Sequence, residues 1–262
     1  MKSEIKKFIK ERSKEVNKML KDKAFFNLSR KWLARSIFYK YNYNYTWLGR
    51  PIIKYPDDIV VMQEVLHKVK PDIVIETGIA HGGSIIFTAS ILKMIGKKNF
   101  KVIGIDIDIR KHNLKEIKKS IVYKYLNLIE GSSIDKKVFD KVKKKIGKNK
   151  KILVILDSDH SHKHVAEELK LYSSLVSKNS YIILPDTYID FMPKNTFKRW
   201  KVGNNTYTAL IEFLHKNKNF KIDYEVNKKS LISEAIKGYI KKIKKLFYNL
   251  KTYWCACFYS FI

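Results

Sequence analysis

The densest run of chemically able side chains in the sequence is Asp157-Ser158-Asp159-His160-Ser161-His162-Lys163-His164. It follows the apolar run ILVIL, and a later apolar run, YIIL, leads into Pro185-Asp186-Thr187. If both runs are parallel strands, Asp157 and Asp186 open on the same crevice and become neighbours. Two carboxylates beside hydroxyls and water suit Mg²⁺ or another hard divalent ion. An ion there can hold an acceptor hydroxyl, lower its pKa and turn it toward a methyl donor. His160 is the candidate general base near neutral pH. Asp159 and Ser161 are rival N-caps for the following helix, and His162 and His164 fall on that helix, where they are expected to face solvent.

A second cluster is Glu76-Thr77-Gly78-Ile79-Ala80-His81-Gly82-Gly83-Ser84, placed between an apolar run and a helix-length segment. Its small residues permit a tight turn and a close ligand approach, and the helix start offers free N–H groups. The next apolar run ends at Asp106, where a carboxylate can bind both hydroxyls of a ribose. No GK[ST] occurs, so a P-loop is excluded. A dinucleotide and S-adenosylmethionine both remain. Glu76 favours the second, because an acid repels a pyrophosphate but attracts a sulfonium and an amino group. Asp108 either assists at the ribose or caps a helix.

These clusters need a scaffold, and the pattern supplies one. Apolar runs at 73–76, 102–106, 126–130, 152–157 and 181–186 read as strands buried on both faces. Helix-length segments at 57–69, 83–96, 111–120, 134–146 and 162–177 lie before and between them. Alternation of this kind gives an α/β fold with a doubly wound, mostly parallel, Rossmann-like sheet. A helix at 206–216 and two strands, 220–226 and 230–235, complete it as an antiparallel hairpin. Iron hydroxylation is a weaker alternative for DSDHSHKH, because a two-histidine, one-carboxylate site normally sits on a jelly-roll β fold.

Residues 3–21 read as an amphipathic helix, and Tyr39, Tyr41, Tyr43, Tyr45 and Trp47 alternate as an extended segment would. The expected organisation is an N-terminal helix and aromatic segment (1–56), a cofactor-binding domain (57–236) and a basic tail (237–262). The tail holds lysines at helical spacing with Ile240, Ile243, Leu246, Phe247 and Leu250, then aromatics. It is expected to contact an anionic membrane surface or to dock on protein.

The chain of 262 residues carries a net charge of +29, from 54 Lys+Arg against 25 Asp+Glu. Only six of those basic residues are arginine, the side chain that reads phosphates and bases bidentately, which leaves 48 lysines. The excess therefore argues against a nucleic-acid enzyme, and an RNA methyltransferase or RNA binder is only an alternative. No run of ~18 apolar residues is present, the N-terminus lacks an apolar signal core, and Cys255 and Cys257 allow no disulfide framework. The expected setting is the cytoplasm, peripheral at most to the inner face of the plasma membrane.

The stretches YNYNYTWLGRPIIKYPDDIVVMQE, PDIVIETGIAHGGSIIF, VIGIDIDIRKHN, LIEGSSID, LDSDHSHKHVAEELKLYSSLV, YIILPDT and GYIKK together resemble the cephalosporin hydroxylase / rhamnosyl O-methyltransferase family over about 41–243. The resemblance implies a class I S-adenosyl-L-methionine-dependent methyltransferase fold and a divalent metal, usually Mg²⁺. It would assign Glu76, Gly78 and Asp106 to the cofactor, Ser132 or Ser133 to the adenine end, and Asp157 and Asp186 to the metal. Some members carry a Glu-Asp pair after the fifth strand; Pro185 stands here in place of the Glu, removing one ligand. The implied acceptor is a sugar hydroxyl on a small molecule or a lipid-linked glycan precursor. A second copy of the chain is left open as a partner.

Overall fold

In the computed structural model, which describes residues 2–243, the chain opens with two helices, α1 (Lys2–Lys21) and α2 (Lys23–Phe38). Asp22 separates them and caps α2 by accepting from Phe25 N at 2.9 Å. A short ribbon follows, β1 (Thr46–Trp47) against β2 (Arg50–Pro51), then α3 (Pro56–Val69). Pro56 begins α3, and Asp57 and Asp58 place negative charge in its first turn.

The alternating region runs β3 (Ile73–Thr77), α4 (Gly83–Met94), β4 (Lys101–Asp106), α5 (Lys111–Lys118), β5 (Leu126–Glu130), α6 (Lys136–Ile146), β6 (Ile152–Leu156), α7 (His162–Tyr172) and β7 (Tyr181–Ile183). It closes with α8 (Thr206–Lys216), β8 (Phe220–Ile222), α9 (Tyr224–Asn227) and β9 (Tyr239–Lys242). The sheet order is β5-β4-β3-β6-β7-β9-β8. β5, β4, β3, β6 and β7 run parallel, and β9 is antiparallel to both β7 and β8. This is the expected doubly wound α/β sheet.

Strand alternation divides the core between the two faces. Val74, Val102, Leu153 and Ile155 pack with α3, α4 and Ile117 of α5. Ile73, Ile75, Ile103 and Val154 pack with Val138 and Val142 of α6, Leu169 of α7 and Leu210 of α8. Each such side chain, fully withdrawn from water, contributes about 1.5–3 kcal/mol. The strand order reverses between β3 and β6, so the turns after those two strands flank the crevice where α/β folds bind ligands.

Three expectations are corrected. Residues 39–47 are not an extended segment. A second helix, α2, runs to Phe38, Lys40 turns the chain at φ 49, a 3-10 turn covers Tyr41–Tyr43, and within this segment only Thr46–Trp47 are strand. Packing decides this: Tyr41 touches the rings of Trp32, Tyr45 and Tyr55 at 5.1, 5.7 and 6.3 Å, whereas Trp47 turns to Phe87 at 4.8 Å. Residues 230–235 are not a strand, because the acids opening α3 capture them: Asp57 accepts from the Ser230 hydroxyl, and Asp58 accepts from the Ser233 hydroxyl and Glu234 N. The true partner of β8 is β9, so the expected helix from 237 is strand at 239–242 and the sheet extends past the boundary at 236. Residues 244–262, the rest of the expected basic tail, lie outside the described residues. No described helix is long and apolar enough to cross a membrane.

Candidate functional site

β3 and β6 lie side by side, so Gly78 meets Asp157 directly. A Cβ on Gly78 would stand 2.0 Å from the Asp157 carbonyl oxygen, and Gly78 adopts φ +78. Only glycine fits both demands. The turn that follows is tied from three sides. Asp106 Oδ2 accepts from Ile79 N at 2.9 Å and Ala80 N at 3.0 Å. The Arg50 guanidinium donates to His81 O at 3.0 and 2.7 Å and to Asn113 Oδ1 at 2.9 Å. Asn113 Nδ2 in turn donates to Ala80 O. The close seat of β2 on this turn explains Gly83, whose Cβ would be 2.2 Å from Pro51 O.

Above the turn lies a cavity of about 680 Å³, within the usual range for small-molecule sites. Gly78, Ala80, His81, Gly83, Ser84, Asp106, Ser132, Ser133, Asp157, His160 and Asp186 all line it. Three expected residues do not. Gly82 turns at φ +86 against the Ile117 side chain. Asp108 is largely exposed and pairs with Arg110. Glu76 is fully buried behind the cavity wall, and burial pushes its pKa up to about 7. Asp106 also differs from expectation: with Asp108 N it accepts three backbone N–H groups. Of a carboxylate's roughly four lone-pair positions, one is left for a ribose.

At the other end, Asp157, His160 and Asp186 bring one ligand atom each within 4.8 Å of one another. Asp186 achieves this through a left-handed backbone, φ 60, which aspartate tolerates better than most residues. Burial and the neighbouring Asp157 push the Asp186 pKa well above the ordinary carboxylate range. His160 Nε2 lies 3.5 Å from Asp186 Oδ2, and its ring meets Trp200 edge-on at 4.5 Å. Burial lowers the His160 pKa, so the imidazole is neutral and able to accept a proton at pH 7. Asp159 turns away from this trio, pairing with Arg199 and accepting from Ser161 N.

Two side chains absent from the sequence reading complete the site. Lys54 Nζ donates to Asp157 Oδ2 at 3.0 Å and to Glu234 Oε1 at 2.7 Å. Burial opposes the charge on Lys54, yet Asp157, Glu234 and Glu76 outweigh it and raise its pKa well above that of an ordinary lysine. Each sits as a single charge inside an apolar run, IIKY and LISEA, and that isolation was the available signal.

The flanking histidines modify a further expectation: His164 lines the cavity, and His162, though 31% exposed, is held against α8. His162 bridges to α8, with Nδ1 2.8 Å from Thr208 Oγ1 and Nε2 2.8 Å from Glu212 Oε2. His164 lines the cavity with Nε2 3.0 Å from Ser133 Oγ and 3.1 Å from Ser158 Oγ, and Glu168 raises its pKa. With His162 and His164 so engaged, only His160 joins the two carboxylates. Two oxygen-donor acids and one imidazole fit a divalent cation, and they do not make a two-histidine iron triad. The buried carboxylates Asp58, Glu76 and Glu234, with Asp157 and Asp186, surround Lys54, which is the one buried lysine among the described residues, so the site favours a further positive charge.

A family profile described as Rhamnosyl O-methyltransferase/CmcI matches residues 39–243. The Rhamnosyl O-methyltransferase of Mycobacterium leprae (strain TN) is 31% identical over 183 residues, covering 69% of this chain and 73% of that one. The Mycobacterium tuberculosis (strain H37Rv) protein of the same name is 33% identical over 151 residues, 56% of this chain and 59% of its own length. Among solved structures, CmcI with Mg and SAM superposes with a TM-score of 0.55 at 19% identity, covering 77% of each chain. The apo CmcI structure gives 0.56 at 20% identity over the same shares. The solved structures support the fold.

Proposed function

The chain belongs to the rhamnosyl O-methyltransferase/CmcI family, and from that premise we propose that it transfers a methyl group from S-adenosyl-L-methionine to a sugar hydroxyl of a glycolipid or surface-glycan precursor. The observation that carries this is the meeting of the Gly78–Ser84 turn and the Asp157–His160–Asp186 trio in one cavity. The cofactor would supply an electrophilic methyl group and a divalent ion, Mg²⁺ in the first instance, would polarise the acceptor hydroxyl.

The chain's own residues do the rest. Gly78 lets the turn seat directly against Asp157, and Arg50 and Asn113 hold the turn still. Ser132 and Ser133 line the cavity, Ser133 being fixed through His164, and would lie at the adenine end of the cofactor. Asp157 and Asp186 would hold the ion, with His160 as third donor or as the base that takes the acceptor proton at Nε2. Lys54 fixes Asp157 by occupying one of its oxygens. Glu76 acts from behind the wall, by charge rather than contact. Methyl transfer is an in-line displacement, so positioning supplies most of the rate. Pro185 offers no side-chain ligand, and His160 would be the third side-chain donor beside Asp157 and Asp186 if it served the ion.

A cytoplasmic enzyme working beside the inner face of the membrane agrees with a lipid-linked acceptor. The test is calorimetry with S-adenosylhomocysteine, with and without Mg²⁺, followed by methyl transfer to rhamnosyl glycolipids. Binding in the micromolar range with transfer supports the reading; no binding under either condition overturns it.

A further inference from the structure

The N-terminal helices carry a surface that the proposed reaction does not use. On α1, Ile5, Phe8 and Ile9 are 56%, 61% and 59% exposed. Their spacing of three and four puts them on one stripe. The only described element on which α1 packs substantially is α2. On α2 and its C-cap, Phe25, Leu28, Trp32 and Tyr39 fall within a sector of about 60° at helical periodicity. All four are exposed, Tyr39 at 68%. Apolar residues left in water on two successive helices imply an occupant.

Charge identifies it. Residues 2–40 hold ten lysines and three arginines against four acids, a net +9. A second copy would set +9 against +9, which is unfavourable. A surface that is anionic outside and apolar beneath complements both features. Phenylalanine, tryptophan and tyrosine interleaved with lysine and arginine are the side chains that settle at the level of lipid headgroups.

We propose that α1 and α2 dock the protein on an anionic membrane surface. The end of α2 connects this surface to the site, because Ile37 and Lys40 line the cavity together with Asn42 and Tyr43. Docking through α2 therefore holds the cavity near the membrane, where a lipid-linked acceptor lies. Vesicle binding needs neither cofactor nor acceptor, so it fails or succeeds separately from the methyl-transfer reading.

The test is co-sedimentation of the full chain with phosphatidylcholine vesicles and with vesicles that also contain phosphatidylglycerol. Binding is expected to the anionic vesicles, to weaken with added salt, and to be faint on the neutral ones. The combined Ile5→Ser, Phe8→Ser and Ile9→Ser variant changes only exposed positions; it should keep its circular dichroism and lose at least about tenfold in vesicle affinity. The Lys7→Glu, Lys10→Glu and Lys14→Glu variant keeps the apolar stripe and should lose the preference for anionic lipid. Equal affinity of wild type and the serine variant overturns the proposal and moves the contact elsewhere, to 237–262 among other places. Absence of vesicle binding overturns it too, as does conversion from oligomer to monomer in the serine variant with no change in vesicle affinity.

Discussion

The ammonium of Lys54 stands 3.0 Å from the carboxylate of Asp157, although 103 residues separate them in the chain. The contact joins the loop before α3 to the end of β6 and sets the electrostatics of the whole site, because Lys54 also holds Glu234. Replacing Lys54 with Met leaves the buried Glu234 and the partly buried Asp157 without their cation. A loss of about 3–5 kcal/mol in stability is expected, measured by denaturant unfolding. Adding Glu234→Gln to that variant should recover part of the loss; no recovery would mean that Glu234 is not the stranded charge.

Gly78→Ala should be the most damaging single-methyl change in the turn. The added Cβ meets the Asp157 carbonyl at 2.0 Å, and φ +78 disfavours any L side chain. The expected result is loss of S-adenosylhomocysteine binding by at least about a hundredfold. Gly96→Ala is its control: φ +82 is similar, but nothing lies within 4 Å of the added Cβ. It should cost about 1 kcal/mol of stability and leave binding unchanged.

Glu76 gives the ligand-free protein a particular pH dependence. Its folded pKa is about 7, raised by burial from an ordinary 4.5. Between those values the folded state holds the proton more tightly than the unfolded chain does. Stability therefore falls as pH rises from about 4.5 to about 7, by about 3 kcal/mol at most from this group. Glu76→Gln should flatten that slope and stabilise the free protein at pH 8. An unchanged slope in the variant would remove Glu76 as its source.

Asp186→Asn separates the two ends of the cavity. It leaves the Gly78–Ser84 turn intact and removes one of the three converging donors. S-adenosylhomocysteine should bind the variant as it binds wild type, whereas methyl transfer falls about a hundredfold and no longer responds to a chelator or to added Mg²⁺. Persistent stimulation by Mg²⁺ in this variant would remove Asp186 from the ion's shell.

The parallel half of the fold was legible because its strands are buried on both faces and read as unbroken apolar runs between helix-length segments. The crevice was legible for the same reason: fixing the strands fixes where Gly78, Asp106, Asp157 and Asp186 emerge. What the pattern hid depends on contacts between distant segments. Alternation in 39–47 mimicked a strand, but Tyr41 finds its partners in Trp32 and Tyr55. The 230–235 run looked like a strand until Asp57 and Asp58 claimed its polar groups. His162 looked solvent-facing because Thr208 and Glu212 lie far along the chain. Lys54 and Glu234 were invisible as a pair, since neither is informative without the other.

The placement of β9 sets an order of events during synthesis. β7 is complete at Ile183, yet its partner on that side is Tyr239–Lys242, and the outer strand β8 reaches the sheet only through β9. At a translation rate of ~5–20 residues per second, β7 waits several seconds with a bare edge. Glu234, which holds Lys54, leaves the ribosome in the same late stretch. The cavity thus acquires its charge balance at nearly the moment its sheet closes, and a stalled or truncated chain would present an unpaired strand edge together with an unfinished site.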